Sequence, residues 1–579
     1  MNDLQAVLVA GACGAGALAA VDLPLWPLVV VAVAAAVIRR PWLLIVALAL
    51  LASARAADAW TAVAAPMPAE VDARASLVRD PVRSGAATTV LVAVDGRNLV
   101  ATAYGPAGAR LGRAQAGDRV QLQGTTRSWA ASSERHAALR TTHRLDVDAV
   151  TVLDATPALW RLANEIRDRI ADGAEPLGED RRALFTGLVY GDDRFQSALV
   201  EADFRLAGLT HLLAVSGQNV AYLLILLAPI LRRCGLGWRW ILTIAALVVF
   251  ATATRYEPSV LRATVMAAIA ATGALTGRES PSVRVLAFAV AGLILMDPLL
   301  AHTIAFRLSV AASAGIIVFA KPMARRFGDG PVAAALAVTV SAQLAVAPLL
   351  VTTFGPVSIV SIPANLLAGP AAGLAMAWGM TAGLAAGLVG GPLPALVHTI
   401  TAPLLWWLEH VAHASASVPL APVGLAWIVG ALVTWFVADG VLRIPASPLV
   451  VVVAAVVLVG GLRVDVPEGR TEVGPGSHVV ARDDTVVLVV AGRSNPVWLL
   501  EDLRRIGVRR VALLVGADGR DDVDAVLARL RVDRRWNLAN GSDGGTDPAG
   551  GPGPWFSLGA SRARLHTIDG AVTVELAPP

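Results

Sequence analysis

Long apolar runs separated by short polar breaks fill most of this sequence. Residues 1–57 hold about three such runs and residues 206–462 about ten, each roughly long enough to span about 30 Å of hydrocarbon as a helix. Residues 66–155 differ, because stretches such as TTVLVAVDG and DRVQLQGTTRSW alternate apolar and polar positions between turn signals such as Asp95-Gly96. This alternation predicts a small all-β domain. Residues 466–579 are polar again and end in short strands.

The composition fits a membrane protein with polar domains. Of the 579 residues, 56% are hydrophobic and only 16% are charged, and the mean hydropathy is +0.63. A water-soluble chain of this length would carry far more charge. The net charge of +4 names no partner, and two cysteines in or beside apolar runs imply no disulfide framework.

The arginines predict an orientation in the membrane. Several groups of basic residues fall in short loops between apolar runs: Arg39, Arg40, Arg232, Arg233, Arg239, Arg278, Arg284, Lys321, Arg325, Arg326 and Arg443. The positive-inside rule makes these loops cytoplasmic. Counting the runs between them predicts that residues 66–155 and 466–579 lie outside the cytoplasmic membrane.

Polar side chains interrupt the run THLLAVSGQNVAYLL. On a continuous helix His211, Gln218 and Tyr222 share a narrow arc, with Asn219 beside it, while Ser216 and Gly217 are typical of a helix break. Lipid offers these groups no hydrogen bonds, so they face either neighbouring helices or a wet cavity. The alternative to a polar path is that they join helices, as Ser, Gly, Asn and Gln often do.

Other runs repeat the pattern. Arg262 lies inside one run and Arg307 inside another, and an arginine within a span costs roughly 2.5–3.5 kcal/mol on insertion scales. A salt bridge involving Glu257 is the structural alternative for Arg262. The segment VSIVSIPANLLAGPAAG, which holds Asn365 between prolines, is expected to be discontinuous. We predict a polar path for an anionic solute lined by His211, Ser216, Gly217, Gln218, Asn219, Tyr222, Arg262, His302, Arg307, Ser309, Gln343 and Asn365.

Several ordered motifs resemble those of the ComEC family of competence proteins. They are LFTGLVYGDDRFQSALVEADFRLAGLTHLLAVSGQNVAYLL, PSVLRATVMAA, FRLSVAASAGI and PANLLAGP, within residues 180–462. The chain departs from the family at Gln218-Asn219, where a Leu-His pair is common, and at Arg307, where glutamine is common. The resemblance implies a channel that carries single-stranded DNA across the cytoplasmic membrane during natural transformation.

The resemblance also implies that residues 66–155 form an OB-fold-like domain. OB-folds bind single strands with a basic groove and stacking aromatic rings. The candidate DNA-binding residues are Arg97, Tyr104, Arg110, Arg113, Arg119, Arg127 and Trp129. Acidic residues nearly balance the arginines across this block, so a solvated β surface remains the alternative.

Many family members end in a metallo-β-lactamase-like domain with a His-x-His-x-Asp-His metal motif. Here the corresponding stretches read EVGPGSHVV, LVVAGRSN and ADGRDDVDAV. A zinc hydrolase needs clustered ligands, and this block has only His478 and His566. Its aspartates are better explained as an acidic, solvated helix start than as a cation site. We expect a shortened lactamase-like α/β domain without metal, cofactor or nuclease activity.

The sequence therefore predicts a polytopic α-helical protein of the cytoplasmic membrane. It has N-terminal transmembrane helices (1–57), an extracytoplasmic OB-like domain (66–155), a competence-type channel domain (180–462) and a lactamase-like domain (466–579). The expected partners are single-stranded DNA, the lipid bilayer, an external DNA receptor and a separate cytoplasmic ATPase, since no Walker lysine motif occurs; a homo-oligomer is left open. The alternatives are a transporter or envelope accessory protein for another anionic substrate and, less favoured, a membrane-tethered metallohydrolase.

Overall fold

The computed structural model describes residues 2–418 and 466–577, apart from 39, 154, 329, 355–359, 483–484, 492–493, 518, 538–554, 559–560 and 569–570. Arg39, Arg443 and the final apolar runs of the sequence lie outside the described residues. The chain forms two compact units. The first comprises residues 1–195, 211–350 and 369–406, and the second comprises residues 196–210, 351–368 and 407–579.

Three helices open the first unit: α1 (Asp3–Ala19), α2 (Leu25–Val37) and α3 (Pro41–Ala64). Helix α1 has a capping box, in which Asn2 and Gln5 each accept from the other's backbone N–H. Gly16 allows α1 to touch α3 directly, since a Cβ there would lie 2.0 Å from the carbonyl oxygen of Ala49. Helix α3 continues past residue 57 to Ala64, where the β domain follows.

Residues 70–153 form a β barrel with two short helices. The elements are β1 (Glu70–Leu77), β2 (Val82–Ser84), β3 (Ala87–Val94), β4 (Arg97–Tyr104), α4 (Gly105–Leu111), β5 (Arg119–Ser128), α5 (Ser133–Leu139) and β6 (His143–Leu153). Alternate residues point inward, and the core contains Val92, Leu99, Leu122 and Leu145. The apolar positions of the predicted alternation therefore point into the barrel, and the polar positions between them point outward.

The strand order closes the barrel. Strand β1 pairs with both β3 and β5, and β5 continues to β6, β4 and β3, while β2 extends β3. All pairs are antiparallel except β4 with β6, which run parallel from Val100 opposite Arg144 to Ala103 opposite Val147. A bulge at Gln123 and Gly124 bends β5. At Gly124 a side chain would collide with the Asp146 carbonyl oxygen, 2.1 Å away.

Helical segments follow the barrel: α6 (Ala158–Gly173), α7 (Glu179–Tyr190), α8 (Ala198–Leu206), α9 (Thr210–Leu213), α10 (Gly217–Leu231), α11 (Leu236–Ala253), α12 (Pro258–Leu275), α13 (Ser282–Met296), a 3₁₀ helix (Pro298–His302), α14 (Ile304–Gly315), α15 (Lys321–Phe327), α16 (Pro331–Phe354), α17 (Ser361–Trp378), α18 (Leu384–Val389) and α19 (Leu393–Ser417). π-helical turns at Ile316–Ala320 and Gly379–Gly383 join α14 to α15 and α17 to α18.

Several of these helices are long and apolar enough to cross a membrane. In the described part of the chain six meet both criteria: Pro41–Ala64, Leu236–Ala253, Pro258–Leu275, Ile304–Phe327, Pro331–Phe354 and Ser361–Val389. Shorter apolar helices are Asp3–Ala19, Leu25–Ala35, Gly217–Leu231 and Ser282–Met296. The expected discontinuity is wrong from Ser361 onward, because α17 runs unbroken past Asn365; Val357, Ser358 and Ile359 of that segment lie outside the described residues. Pro363 falls in its first turn, where a proline removes no helical hydrogen bond.

The second unit contains an α/β domain. Its elements are β7 (Gly469–Glu472), β8 (Ser477–Arg482), β9 (Thr485–Val490), α20 (Pro496–Arg505), β10 (Arg510–Gly516), α21 (Asp521–Arg529), β11 (Arg531–Asn537), β12 (Trp555–Leu558), β13 (Ser561–Ile568) and β14 (Ala571–Ala577). Strands β7 to β11 form one sheet, parallel from β9 to β11, and β12 to β14 form a second. One apolar cluster lies between the first sheet and its helices, and another joins the two sheets.

Helix α8 packs against this domain. Ala202 belongs to the same apolar cluster as Leu500 and Val523. Beside it, the buried carboxylate of Asp203 accepts from Arg529 Nη2 at 2.8 Å and lies 3.2 Å from His413 Nδ1. An element 260 residues away in sequence thus completes the domain.

Candidate functional site

The helix break predicted in the run THLLAVSGQNVAYLL is present in the structure, and the side chains of two serines stabilise it. Helix α9 ends at Leu213, and α10 begins at Gly217 with Ser216 as its N-cap, whose side chain accepts from Gln218 N at 3.2 Å. Ser259 on α12 donates to the carbonyl oxygen of Val215 at 2.6 Å, which satisfies backbone freed by the break. His211 therefore does not share a helical face with Gln218 and Tyr222, and the arc drawn from the sequence is wrong.

Gly217, Arg262 and Ser309 come together at the ends of three helices. We call these residues the helix-end cluster. Arg262 Nε donates to Ser309 Oγ at 2.9 Å, and Arg262 Nη1 lies 3.0 Å from the sulfur of Met266. A Cβ at Gly217 would sit 2.8 Å from Arg262 Nη2, so glycine is needed for the guanidinium to fit. All three positions fall in the first two turns of α10, α12 and α14.

Arg262 is a buried cation with neutral partners. Its exposed fraction is 8%, and among the described residues it forms no ion pair. The salt bridge considered for it is absent there, because Glu257 lies 3.7 Å from Arg79 instead. Burying an unpaired guanidinium costs several kcal/mol in idealised terms, so a positive charge here is available to an anion that reaches the cluster.

Other predicted path residues form separate contacts. Gln218 Nε2 donates to the hydroxyl of Tyr222 at 2.6 Å, and that hydroxyl packs on Gly373 of α17, where a Cβ would be 2.3 Å away. Asn219 is fully buried and donates to the carbonyl oxygen of Leu188 at 3.0 Å, whereas its own Oδ1 has no partner in the described residues.

His302 faces the N-terminal helices, and Arg307 contacts the 3₁₀ helix that holds His302. His302 lies in the 3₁₀ helix, 3.1 Å from the carbonyl oxygen of Ala17 and edge-on to Trp60. Arg307 Nη2 donates to the carbonyl oxygen of His302 at 2.7 Å. Gln343 is half-buried on α16. Asn365 belongs to the second unit and donates to Ser361 of its own helix at 2.7 Å. The twelve residues therefore do not form one continuous group.

A buried charge network that the sequence did not reveal joins the barrel to the helices. We call it the junction network; it consists of Asp80, Asn164, Arg167, Asp192, Arg194 and Arg255. Asp80, on the β1–β2 loop, accepts from Arg167 Nη2 and from Arg255 Nη2, each at 2.8 Å. Arg167 Nη2 is also 3.1 Å from Asp192, which Arg194 contacts at 2.6 Å. Asn164 accepts from Arg255 Nη1 at 2.7 Å.

The network sets the charge state of Asp80. Burial alone would raise the pKa of this carboxyl, but the guanidinium groups of Arg167 and Arg255 hold the pKa of Asp80 well below its usual range. Arg255 adopts φ +57°, a left-handed conformation uncommon for a residue with a side chain. The sequence feature that could have indicated this site is the charged stretch Arg255-Tyr256-Glu257, which lies between two apolar helices.

The second barrel attachment is the β5–β6 loop. Glu134 on α5 accepts from the backbone N–H of Ile304 at 3.1 Å, at the first residue of α14. Arg140 forms an ion pair with Asp297. The first attachment reaches Arg255 in the loop that leads into α12, and the second reaches Ile304, the first residue of α14. Both α12 and α14 contribute to the helix-end cluster.

The predicted DNA-binding residues of the barrel are spread out. Arg97 donates to the carbonyl oxygen of Pro66 at 2.9 Å and to that of Ala65, just after α3 ends. Trp129 is stacked by Arg144 and Arg135, whose guanidinium carbons lie 4.0 and 4.9 Å from the ring centre. The remaining candidates are exposed: Tyr104, Arg110, Arg113, Arg119 and Arg127. Arg127 lies 3.3 Å from Asp146.

The start of β8, the residues before α20 and the start of α21 meet where the lactamase resemblance would put a metal. The hydroxyl groups of Ser477 and Ser494 form a hydrogen bond of 2.9 Å, and the backbone N–H of Ser494 donates to the carboxylate of Asp522 at 3.0 Å. Arg520 binds the same carboxylate, with Nη2 at 2.6 Å. Asp522 is buried, so the expectation of a solvated acidic helix start is wrong for this residue. Within the described ranges, no group of three His, Cys, Asp or Glu side chains could hold a metal ion.

His478 is a second buried ionisable group among the described residues of this domain. Burial, and then the charge of Arg470, lowers the pKa of His478, so the ring is neutral at pH 7. Its Nε2 has no hydrogen-bond partner in the described part of the chain. A single neutral histidine packed in a strand is a core residue and not a ligand set.

Comparisons with known proteins bear on the central region. Residues 188–444, less than half of the chain, match the family model described as competence protein. ComE operon protein 3 of Bacillus subtilis (strain 168) is 29% identical over 199 residues, which are 34% of this chain and 25% of that protein. The aligned region is thus about a quarter of that relative's length. No solved structure matches. The resemblance to the ComEC family is confirmed for residues 188–444.

Proposed function

We propose that this protein, which carries a competence domain at residues 188–444, conducts single-stranded DNA across the cytoplasmic membrane during natural transformation. The observation that carries the proposal is that Gly217, Arg262 and Ser309 all lie in the matched region and build one site around a buried cation. A translocated strand brings one negative charge per nucleotide, for which an arginine with only neutral partners is suited.

The orientation proposed from the arginines is supported by contacts within the first unit. Asp3 at the start of α1 pairs with Arg284 at the start of α13, and Ala17 at the other end of α1 contacts His302 after α13. The start of α1 thus lies beside the basic start of α13, and we take this side as cytoplasmic. The barrel and the starts of α12 and α14 then face outward, so the helix-end cluster lies near the external mouth.

We infer that the barrel is an OB-fold whose main task is docking. A closed five-stranded barrel with a parallel closing pair, β4 with β6, and a helix between its third and fourth strands supports this identity. OB-folds commonly bind nucleic acid through the loops that correspond here to β1–β2 and β5–β6. Those loops hold Asp80 and Glu134, which contact the helices. We assign the binding of single-stranded DNA to the exposed arginines of α4 and β5.

The α/β domain is proposed to be a lactamase-like layer without hydrolytic activity. Arg520 neutralises Asp522 at the meeting point of β8, α20 and α21, and a guanidinium there excludes a second cation by repulsion. The domain would stabilise the external face. A zinc assay and a nuclease assay on the purified full chain test this, and stoichiometric zinc with metal-dependent DNA cleavage would contradict it.

The transport proposal is tested by a deletion strain and labelled DNA. In a transformable host, deletion should abolish entry of fluorescent DNA into the cytoplasm while external binding persists, since the receptor outside and the ATPase are separate proteins. Complementation with the wild-type chain should restore entry. Normal transformation in the deletion strain would reject the proposal and favour a transporter or accessory role for another anionic substrate.

A further inference from the structure

A charged cavity lies between α3, the end of α13 and the barrel. Its volume is about 420 Å³, and Arg55, Asp58, Arg97, Arg140 and Asp297 contribute to its walls. Arg140 and Asp297 neutralise each other in an ion pair. The remaining three charged groups decide what the cavity can bind.

Two of those groups are guanidiniums without a counter-ion in the described residues. Arg97 donates to carbonyl oxygens of Ala65 and Pro66, which complete the carboxyl end of α3. Arg55 Nη2 donates to the carbonyl oxygen of Met296 at 3.3 Å. These neutral contacts hold both side chains at the wall and leave their positive charge uncompensated, which suits a phosphodiester.

Asp58 supplies the opposite charge beside them. It follows Arg55 by three residues on α3, so the two side chains lie on the same face. Even so, Asp58 forms no ion pair within the described ranges, and its carboxylate is exposed. The cavity thus offers cationic groups for one anion and, close by, a carboxylate for one cation.

The rest of the lining is apolar and continues onto the outer surface of the helices. Leu25, Ala59 and Met296 border the charged groups. Met296 is 76% exposed, and Trp26, next to Leu25, is 75% exposed. Tryptophan at this level is typical of a membrane interface, and a ligand here has room to lay hydrocarbon chains beside α2 and α13.

We propose that this cavity binds the headgroup of a phospholipid that carries a primary ammonium, of the phosphatidylethanolamine type. The phosphodiester lies against Arg55 and Arg97, and the ammonium donates to Asp58. The acyl chains follow the exposed apolar surface near Met296. None of its residues belongs to the helix-end cluster, and Arg97, which the sequence predicted as a DNA-binding residue, is held at the cavity wall by the carbonyl oxygens of Ala65 and Pro66.

Lipid retention by the purified full chain tests the proposal. Native mass spectrometry is carried out after equilibration with equal amounts of phosphatidylethanolamine and phosphatidylglycerol of identical acyl chains. The wild type should retain phosphatidylethanolamine preferentially. Asp58→Asn should reduce that preference about tenfold or more, because hydrogen bonds to charged groups contribute about 1.5–3 kcal/mol. Arg55→Gln should weaken retention of both lipids.

Arg83→Gln is the matched control, since Arg83 is an exposed arginine on β2 that lies outside the cavity. Its lipid retention should equal that of the wild type, and thermal unfolding of all variants shows that they are folded. Equal retention of the two lipids by the wild type would overturn the ammonium assignment. Retention unchanged in both cavity variants, or displacement of the lipid by a short oligonucleotide, would overturn the lipid site.

Discussion

Two buried arginine sites of the first unit differ in how their charge is balanced. In the junction network, the carboxylates of Asp80 and Asp192 are shared among Arg167, Arg194 and Arg255. In the helix-end cluster, Arg262 has a hydroxyl and a sulfur as partners. Both sites cost desolvation, but only the first recovers it in ion pairs. The first therefore fastens parts of the chain together, whereas the second leaves a guanidinium with neutral partners only.

The largest effect is expected from Asp80→Asn. The substitution leaves two buried guanidiniums facing a neutral amide, and breaking a buried ion pair typically costs about 3–5 kcal/mol. Thermal unfolding of the detergent-purified chain should show a clear loss of stability. Asp146→Asn is the matched control, because its exposed ion pair with Arg127 should contribute at most about 1 kcal/mol. Equal melting of the two variants would remove the distinction between the sites.

Acid should act on the same network. The folded-state pKa of Asp80 is depressed, so its stabilisation is complete above the unfolded pKa of about 3.9 and is lost as the pH falls toward the lower folded value. Melting temperature should therefore decline below about pH 4 in the wild type. In Asp80→Asn this part of the decline should disappear. Parallel pH curves for the two proteins would show that the depressed pKa contributes nothing to stability.

Arg262→Ala should reduce function more than stability. Removing the free cation should lower transformation frequency at least about tenfold, which corresponds to about 1.4 kcal/mol of lost interaction with the strand. Arg239→Ala removes an exposed arginine from α11 and should leave transformation unchanged. Arg262→Lys keeps the charge and should retain part of the activity. If Arg262→Ala instead lowers the melting temperature as much as Asp80→Asn does, the helix-end cluster stabilises the packing of the helices and is not a DNA contact.

Ser309→Ala should have the smallest effect. It removes one neutral acceptor from Arg262 Nε, a hydrogen bond that contributes about 1 kcal/mol. Transformation should fall only a few-fold, and the double variant with Arg262→Ala should be no worse than Arg262→Ala alone, since both changes act through one contact. Additive losses in transformation frequency would mean that Ser309 acts separately from Arg262.

The sequence revealed most where the physics is local. Alternation in residues 66–155 anticipated the barrel strands, and the Ser216-Gly217 pair marked the helix break that the structure contains. The match of residues 188–444 to the competence-protein family model was anticipated from ordered motifs. Each of these signals depends on neighbours within a few residues.

Contacts between distant residues could not be derived in the same way. Asp80 binds partners 87 and 175 positions away, so no periodicity announces the junction network. The predicted path residues were grouped by helical spacing, which failed at His211 because the helix ends at Leu213. Asp522 was expected to be exposed to solvent, but it is buried, and its carboxylate accepts hydrogen bonds from Arg520 and Ser494. Polar residue types were recognised correctly, whereas their partners depend on the tertiary fold.

The two loops by which the barrel docks have a mechanical consequence. The β1–β2 loop contacts Arg255 in the loop between α11 and α12, and the β5–β6 loop contacts Ile304, the first residue of α14, so one β body bridges the starts of the two helices that carry Arg262 and Ser309. The barrel therefore holds the starts of α12 and α14 at a fixed distance from each other. Shortening either loop would change the aperture between the tips, even in a variant whose barrel never touches a nucleotide.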